Sequence, residues 1–319
     1  MIKWASLALL TLAFLAIAVT LWRVEQRKSM AEKNFPPEGD FVYVDGHPVH
    51  YVDRGDKAAP AVVLIHGASG NTRDFTFDLV DRLTQRYRLI VFDRPGLGHT
   101  PPLAQNGVTL AQQAALLSAA ANQIGVQNPI VVGQSFGGAV TMSWAVHHSD
   151  NIAAAVSIAG ATYPWEGNLS RFYARLADPW KGPVMARVIS AWASEQYVAA
   201  SIAGIFAPQP APKDYAAYVG VPLVLRPSSL LANAQQRHEL RPELQALAPH
   251  YKDLSLPVEI VHGDADTTVG VHVHSTRMVE DIPGANLVVL NGIGHMPHHT
   301  NPEEIVAAID RAASRAGLH

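Results

Sequence analysis

The segment that decides the fold runs from Pro129 to Gly138 and reads PIVVGQSFGG. Its first five residues form an apolar run that is typical of a buried strand, and residues 137–147 have the pattern of a helix. The pentapeptide GQSFG at 133–137 fits the G-x-S-x-G pattern of a nucleophile elbow. Such a sharp turn needs small flanking residues, and it lifts the serine hydroxyl clear of the sheet. The segment therefore predicts that Ser135 is a nucleophile at the start of a helix.

Other short apolar runs alternate with helical patterns on both sides of this segment. Strands are predicted over residues 49–52, 61–66, 88–93, 129–133, 153–159, 258–263 and 287–290, and helices over 110–124, 137–147 and 302–313. Continuous apolar runs separated by helices are typical of a parallel sheet with helices on both faces. The sequence therefore predicts an α/β fold with a mostly parallel central sheet. Ligands of such folds bind at the carboxyl ends of the strands.

Residues 161–250 interrupt this alternation and contain no obvious buried strand. We predict a mostly helical insertion that lies over the active edge of the sheet. Large aromatic side chains are usually buried, so most of the aromatic residues of this segment are expected to pack inside the insertion itself. There are ten of them, namely Tyr163, Trp165, Phe172, Tyr173, Trp180, Trp192, Tyr197, Phe206, Tyr215 and Tyr218.

The chain begins with a long apolar run. No residue from Trp4 to Trp22 is charged, and a helix of this length spans a hydrocarbon core of roughly 30 Å. Tryptophan at both ends is typical of the membrane interface. A cleaved signal peptide is the alternative, because residues 16–18 read AIA, but the apolar run continues beyond them. We predict a single-pass transmembrane anchor over residues 1–28 and a linker over residues 29–40, and leave the side of the membrane open.

Composition excludes several classes of protein. Hydrophobic residues make up 48% of the 319 residues and charged residues 16%, which is too apolar for a disordered chain. The formal net charge of −3 gives no electrostatic reason to expect nucleic acid as a partner. The lack of cysteine excludes disulfide bonds, thiolate catalysis and cysteine-ligated zinc. Besides the membrane, the expected partner is a small-molecule substrate.

A serine nucleophile needs a base, and histidine is the usual one. His295 follows the strand that ends at Leu290 through a short glycine-containing loop. It is therefore expected at the same edge of the sheet as Ser135. His298 and His299 are close enough along the chain to be its rivals for this role.

The base in turn needs an acid that orients it. Two candidates, Asp264 and Asp266, follow the strand predicted over residues 258–263, and both lie at the right edge of the sheet. Asp264 comes directly after the strand, where it could serve only the turn, whereas Asp266 reaches further into the loop. The order serine, acid, histidine along the chain is that of the α/β-hydrolase triad.

Five motifs in this order resemble those of α/β-hydrolase fold enzymes with a helical cap, over about residues 41–315. They are HGA at 66–68, DRPGLG at 93–98, GQSFGG at 133–138, GDADTTV at 263–269 and GH at 294–295. The resemblance implies a core of residues 41–160 and 251–319 and a cap of residues 161–250. The family's acid lies three residues after the glycine of its loop, which favours Asp266 over Asp264. The backbone N–H groups of Ala68 and Phe136 are implied as donors to an oxyanion.

Serine at the elbow favours a carboxylic esterase over the dehalogenases and epoxide hydrolases of this fold, which use aspartate there. We expect acyl transfer to Ser135 and then to water, on an apolar or aromatic ester. Carbon–carbon bond hydrolases of ring-cleavage products and cofactor-free perhydrolases are the alternatives. The former need a polar subsite, for which Arg171, Arg175 and Arg187 are candidates. A membrane-tethered ligand-binding scaffold is the non-enzymatic alternative.

Neither a cofactor nor a metal ion is expected. His272 and His274 are only two residues apart, so a helix would point them in different directions. The sequence also lacks the H-E-x-x-H signature of a zinc-dependent hydrolase. The residues do not predict an oligomeric state.

Overall fold

A sheet of eight strands forms the centre of the computed structural model, which describes residues 2–103, 108–167 and 170–318. In chain order the strands are β1 (Asp40–Val44), β2 (His47–Arg54), β3 (Ala61–Ile65), β4 (Arg88–Phe92), β5 (Ile130–Gln134), β6 (Ala154–Ile158), β7 (Val258–Gly263) and β8 (Asn286–Leu290). Side by side, they follow the order β1-β2-β4-β3-β5-β6-β7-β8. The pairs β1–β2 and β2–β4 are antiparallel and the other neighbours are parallel. The predicted fold class is confirmed.

Helices flank the sheet and fill the insertion between β6 and β7. The α-helices are α1 (Ile2–Asn34), α2 (Arg73–Thr76), α3 (Leu79–Leu83), α4 (Leu110–Gln123), α5 (Phe136–His147), α6 (Arg171–Leu176), α7 (Lys181–Trp192), α8 (Glu195–Phe206), α9 (Tyr215–Tyr218), α10 (Val221–Val224), α11 (Pro227–Leu247), α12 (Ser275–Asp281), α13 (Pro297–Thr300) and α14 (Pro302–Arg315). Short 3-10 helices cover Ser149–Asn151 and Ala248–Asp253.

The apolar runs of the sequence become strands that are buried on both faces. In β3, Val63 and Ile65 pack with helices α4 and α5, whereas Val62 and Leu64 pack with α3 and α14 on the other face. All four side chains are fully buried. Because both faces are covered, the sequence shows unbroken apolar runs rather than an alternation of apolar and polar residues. Each of the seven strands predicted from such runs is present, with boundaries that differ by a few residues.

Strand β1 was not predicted from the sequence. It is an edge strand in which only Val44 is buried, although residues 41–44 read FVYV. A tight turn at Asp45 and Gly46, which have φ angles of 49° and 79°, pairs it with β2. Two consecutive residues with positive φ are the mark of the commonest two-residue hairpin turn. The hairpin extends the parallel sheet with an antiparallel edge.

The insertion is helical, as predicted, but its aromatic residues are not mostly buried. Only Tyr163, Phe206 and Tyr215 of the ten are buried. Four of the ten are exposed, namely Phe172, Trp180, Trp192 and Tyr197, and Trp180 is the most exposed of them at 86%. The expected packing inside the insertion is therefore wrong for most of this group.

Helix α1 is longer than the predicted anchor. It runs without a break to Asn34, so residues 29–34 of the predicted linker are helical. The reason is that these residues include neither proline nor glycine, and the first helix breaker is Pro36. Ala31 is buried against the rest of the chain. The apolar first part of the helix, in contrast, is exposed, and by length and composition it could cross a membrane.

The central position of β3 predicts a large effect of truncating one of its side chains. We expect Leu64→Ala to lower the free energy of unfolding by about 2–5 kcal/mol, because it removes buried methyl groups and leaves a cavity. Val289→Ala, on the edge strand β8 where Val289 is 49% exposed, should change it by less than about 0.5 kcal/mol. Urea unfolding of the full chain in detergent measures both, and equal effects would contradict the assigned burial.

Candidate active site

Ser135 lies in a strained turn between β5 and α5. Its φ and ψ angles are 53° and −117°, a conformation that a residue with a side chain rarely adopts. The turn brings backbone close to backbone. A Cβ atom at Gly133 would lie 2.1 Å from the carbonyl oxygen of Gly137, and one at Gly137 would lie 2.0 Å from that of Ile65. Only glycine fits at these two positions, as the sequence pattern implied.

His295 and Asp266 are in direct contact. His295 Nδ1 lies 2.6 Å from Asp266 Oδ2, and both side chains are nearly inaccessible to solvent. Since a carboxylate only accepts hydrogen bonds, Nδ1 carries the proton and Nε2 keeps its lone pair. The other carboxylate oxygen, Oδ1, accepts the backbone N–H groups of Thr268 and Val269 at 2.7 and 2.9 Å. The loop after β7 thus holds the carboxylate in one orientation.

A second histidine, His262, also forms a hydrogen bond with Asp266. His262, near the end of β7, donates from Nε2 to both the carbonyl oxygen of Val269 at 2.8 Å and Asp266 Oδ2 at 3.1 Å, and its Nδ1 accepts from Ser275 Oγ at 2.6 Å. Burial raises the pKa of Asp266, but the hydrogen bonds from His262 and His295 outweigh burial and hold that pKa well below its usual range. The carboxylate is therefore ionised. Sequence reasoning missed His262, for which the only signal is its position four residues before Asp266.

The two acid candidates have different surroundings. Asp264 Oδ1 accepts the backbone N–H of Gly292 at 2.6 Å, so this aspartate closes a turn at the surface. Asp266 is the one that contacts His295. The two rivals of His295 also bind elsewhere, because the Nε2 atoms of His298 and His299 both face the carboxylate of Asp74. Of these candidates, Asp266 and His295 are therefore the aspartate and the histidine in contact with each other, and His295 lines the same cavity as Ser135.

Ser135 and His295 line the same cavity, but the described residues include no hydrogen bond between them. Nε2 of His295 lies 3.4 Å from the side-chain nitrogen of Gln134, the residue before the serine. That amide also donates to the backbone carbonyl of His295 at 3.2 Å. Hydrogen bonds between a nucleophile and its base are often long before a substrate is bound. Gln134 occupies a variable position of the elbow pattern, so the sequence gave no sign of this contact.

The loop after β3 supplies backbone donors beside the serine. In the described ranges, the N–H groups of Ala68 and Phe136 donate to no acceptor of the protein. The Ala68 loop also lies close to the elbow, since a Cβ at Gly67 would be 3.1 Å from Cβ of Ser135. The N–H of Phe136 is at the start of helix α5, where the helix dipole favours negative charge.

Arg94 fixes this loop from inside the protein. Its fully buried guanidinium donates to the carbonyl oxygens of His66 and Gly67, both at 2.9 Å, and to the side-chain oxygens of Gln113 and Gln236. Burial lowers the pKa of Arg94 to about 9. Its backbone N–H donates to Nε2 of His66. Burial and the charge of Arg94 lower the pKa of His66 to about 4. His66 is therefore neutral, and the loop is held by hydrogen bonds.

Two cavities meet at Ser135. One, of about 300 Å³, lies under helices α6 to α8 and is lined mainly by apolar side chains. The other, of about 320 Å³, lies on the side of Trp165 and His274. Four residues line both cavities, namely Ala68, Ser135, Arg237 and Thr268. The guanidinium of Arg237 stacks on Tyr173, 4.0 Å from the centroid of its ring. Arg237 forms no ion pair within the part of the chain that the structure describes.

One cluster of the described residues has the composition of a metal site. Ligand atoms of Asp74, His298 and His299 lie within 4.8 Å of one another. Burial raises the pKa of Asp74, but the two histidines outweigh it and hold that pKa well below its usual range. Both carboxylate oxygens already accept hydrogen bonds, from His298 at 3.2 Å and from His299 and Tyr215 at 3.0 and 2.7 Å. The prediction that no metal is bound stays a prediction.

These observations agree with the comparison to known proteins. The family profile described as alpha/beta hydrolase fold matches residues 60–302. This chain belongs to that family.

Relatives in the family have several activities. The pimeloyl-[acyl-carrier protein] methyl ester esterase of Vibrio vulnificus is 29% identical over 265 residues, which cover 80% of this chain and 94% of the esterase. A putative carbamate hydrolase of Enterobacter cloacae is 26% identical over 250 residues, covering 77% and 88%. Among solved structures, a bacterial membrane phospholipase A aligns over 100% of both chains with a TM-score of 0.68 and 20% identity. At that identity the likeness shows the fold alone.

His274 gives this α/β hydrolase a testable dependence on pH. Its Nδ1 accepts the backbone N–H groups of Thr162 and Tyr163 at 3.2 and 3.0 Å, and burial lowers its pKa from 6.5 to about 4. The coulombic effects of His262, Arg277 and His295 also lower it, whereas Asp266 opposes them. The unfolded chain therefore binds the proton first, and His274 contributes stability that is lost as the pH falls from 6.5 through 4.

We expect His274→Asn to remove part of this dependence, because the asparagine oxygen can accept the same N–H groups but does not titrate. Between pH 6.5 and 4 the free energy of unfolding should fall less steeply than in the parent, by up to about 1.4 kcal/mol per pH unit. Urea unfolding at several pH values measures the slopes. His272→Asn is the control, since His272 is exposed and its replacement should leave the slope unchanged. Parallel curves for all three proteins would contradict the assignment.

Proposed function

We propose that the protein is a serine hydrolase that cleaves carboxylic esters through an acyl-serine intermediate. The observation that carries the proposal is the 2.6 Å contact between His295 Nδ1 and Asp266 Oδ2, made at the cavity that also contains Ser135. This contact makes Nδ1 the donor to the carboxylate, so Nε2 of the neutral imidazole is the nitrogen that can accept a proton, as a general base requires. The strained turn at Ser135 and the two free N–H groups beside it support the same reaction.

In the proposed reaction, Nε2 of His295 accepts the proton of Ser135 Oγ while Oγ attacks the carbonyl carbon of the ester. Asp266 keeps the imidazole oriented and stabilises its positive charge. The N–H groups of Ala68 and Phe136 donate to the oxyanion. The tetrahedral species then expels the alcohol oxygen, which takes the proton from His295. Water, deprotonated by the same imidazole, attacks the acyl carbon, and the acid and the free serine are released.

Two cavities that meet at the nucleophile suit an ester, because its acyl and alcohol parts extend on opposite sides of the reacting carbon. The apolar lining under α6 to α8 favours an aliphatic or aromatic acyl group. The named activity of the Vibrio vulnificus relative, hydrolysis of a methyl ester, supports the reaction class. We propose residues 161–250 as a cap, since its helices α6, α7 and α8 form one wall of this cavity.

We further propose that α1 anchors the protein in a membrane as a single-pass helix. Its residues from Trp4 to Trp22 are uncharged and mostly apolar, and nearly all are exposed, with Trp4 at 76% and Phe14 at 70%. The later part of the helix is bound to the insertion, since Arg27 donates to the carbonyl oxygens of Ser190 and Ala193. The helix continues past the possible cleavage point at residues 16–18, and its later part contacts the insertion. Both observations support an anchor rather than a cleaved signal peptide.

The proposed reaction predicts that Ser135→Ala loses both labelling by a fluorophosphonate probe and turnover of nitrophenyl esters. Ser201→Ala is the matched control, because Ser201 lines the same cavity and should keep both. Asp266→Asn should lower kcat by about 10⁴-fold, since the imidazole would take the wrong tautomer. Asp264→Asn should stay within about threefold of the parent, as expected of a surface turn.

Each outcome has a definite meaning. Normal turnover by Ser135→Ala would overturn the acyl-serine intermediate, and equal losses in Asp264→Asn and Asp266→Asn would overturn the assigned acid. A folded parent that neither reacts with the probe nor turns over any ester would favour a carbon–carbon bond hydrolase or the membrane-tethered binding scaffold. Circular dichroism of every variant shows whether a loss of activity is a loss of fold.

A carbon–carbon bond hydrolase of ring-cleavage products is the second candidate, and Arg237 favours it. Such substrates carry a carboxylate, and the guanidinium of Arg237 lines both cavities without a carboxylate partner among the described residues. The arginines that the sequence offered for this subsite, Arg171, Arg175 and Arg187, are exposed instead.

We therefore expect Arg237→Gln to lower kcat/KM for an ester with a terminal carboxylate on its acyl chain, nitrophenyl hemisuccinate, by about 10- to 100-fold. The neutral ester of the same length, nitrophenyl butyrate, should be affected by less than about threefold. Arg241→Gln is the control, because Arg241 lies one turn further on α11 and donates to the carbonyl of Gly167. Equal losses for both esters would show that Arg237 has a structural role only.

A further inference from the structure

Helix α7 exposes an apolar stripe that only α1 contacts within the described chain, at the end with Trp192. Trp180, Val184, Val188 and Trp192 follow one another at intervals of four residues, which places them on one side of the helix. They are 86%, 63%, 48% and 50% exposed. The opposite side of α7, which includes Ala186 and Ser190, is buried against the rest of the protein. The stripe is therefore a second apolar face, in addition to the buried one.

Helix α8 has the same property. From Tyr197 to Phe206 it has no charged residue, yet only Phe206 is buried. A helix that is apolar all round is normally enclosed by other elements. In α8 the inner side chains Val198, Ile202 and Ile205 line the substrate cavity, and the outer surface is left open. We call the exposed faces of α7 and α8 together the insertion surface.

The insertion surface is continuous with α1. Trp192 Nε1 donates to Thr20 Oγ1 at 3.2 Å, and the guanidinium of Arg23 lies 4.4 Å from the ring centroid of Trp192. Thr20 and Arg23 mark the end of the apolar run of α1. An inserted α1 leaves the hydrocarbon core at this level, so the end of α7 lies at the depth of the lipid head groups.

Charge distinguishes the insertion surface from the rest of the chain. Helices α7 and α8 have two basic residues, Lys181 and Arg187, and one acidic residue, Glu195, and the neighbouring helix α6 adds the exposed Arg171 and Arg175. The whole chain has an acidic excess, with 27 acidic against 24 basic residues. Basic and apolar residues side by side on a helix favour a surface of anionic lipids. They disfavour a second copy of the chain, because a two-fold contact would place these charges against themselves.

We propose that the insertion surface docks on the head-group region of the bilayer that holds α1, with its apolar stripe in the lipid and its basic residues on anionic head groups. The proposal rests on the anchoring role proposed for α1 and not on the proposed ester hydrolysis. The helices that roof the substrate cavity are thereby in contact with lipid.

The lack of cysteine makes a direct test possible, since one introduced thiol is the only site that a maleimide fluorophore labels. The four variants are Phe14→Cys on α1, Val184→Cys and Val188→Cys on the insertion surface, and Val289→Cys on β8. Val289 is the matched control, because it is an exposed valine with 49% accessibility against 48% for Val188. Each labelled full chain is reconstituted in vesicles of phosphatidylcholine and phosphatidylglycerol that contain a lipid quencher at the depth of the upper acyl chain.

We expect quenching at 184 and 188 that is several-fold stronger than at 289, together with strong quenching at 14. Replacing phosphatidylglycerol by phosphatidylcholine should weaken quenching at 184 and 188 and leave that at 14 unchanged. Strong quenching at 14 with 184 and 188 at the level of 289 would overturn the docking and leave the anchor intact. Weak quenching at all four positions would overturn both.

Two further outcomes would also overturn the proposal. Quenching at 289 as strong as at 184 would mean that the protein has no preferred face toward the bilayer. A blue shift at 184 and 188 that lipid does not quench, and that grows with the ratio of protein to lipid, would mean that a second copy covers the surface. Ester hydrolysis is not needed for any of these readings.

Discussion

The whole site depends on one close approach, that of the first turn of helix α5 to the end of strand β3. Gly137 is so near the carbonyl of Ile65 that no side chain fits between them. This approach forces Ser135 into a strained backbone conformation, which persists only because the sheet and the helix hold both sides of the turn. Strand β3 then continues into the loop at Ala68. The same contact therefore fixes the distance between the serine and the backbone donors of that loop.

Around this rigid centre, the loops are held by buried polar groups rather than by apolar packing. A buried guanidinium is costly unless its N–H groups are satisfied, and Arg94 satisfies them with two backbone carbonyls and two glutamine side chains. Asp266 likewise accepts four hydrogen bonds from two histidines and two backbone N–H groups. Buried polar groups that are fully hydrogen-bonded have few other arrangements that satisfy them, so each of these networks holds its loop in one orientation.

Sequence was sufficient for seven of the eight strands, because short apolar runs that alternate with helical patterns are typical of a sheet covered on both faces. It also offered Asp264 and Asp266 as candidate acids and His295, His298 and His299 as candidate bases, among which Asp266 and His295 are in contact. It was not sufficient for the partners of these groups. The contact of Gln134 with His295 and that of Arg237 with Tyr173 join segments far apart along the chain, and no local pattern encodes them.

Sequence also misjudged the insertion, since composition does not say which face of a short helix is covered. Helices α7 and α8 have only one face each on the cavity, so other apolar residues, such as Val184 and Val188, remain exposed. These same helices contribute Ile189 and Val198 to the cavity wall. Any binding partner of the outer face that prefers one arrangement of α7 and α8 must therefore also favour one shape of the cavity. The exposed stripe and the cavity wall are thus two sides of the same pair of helices.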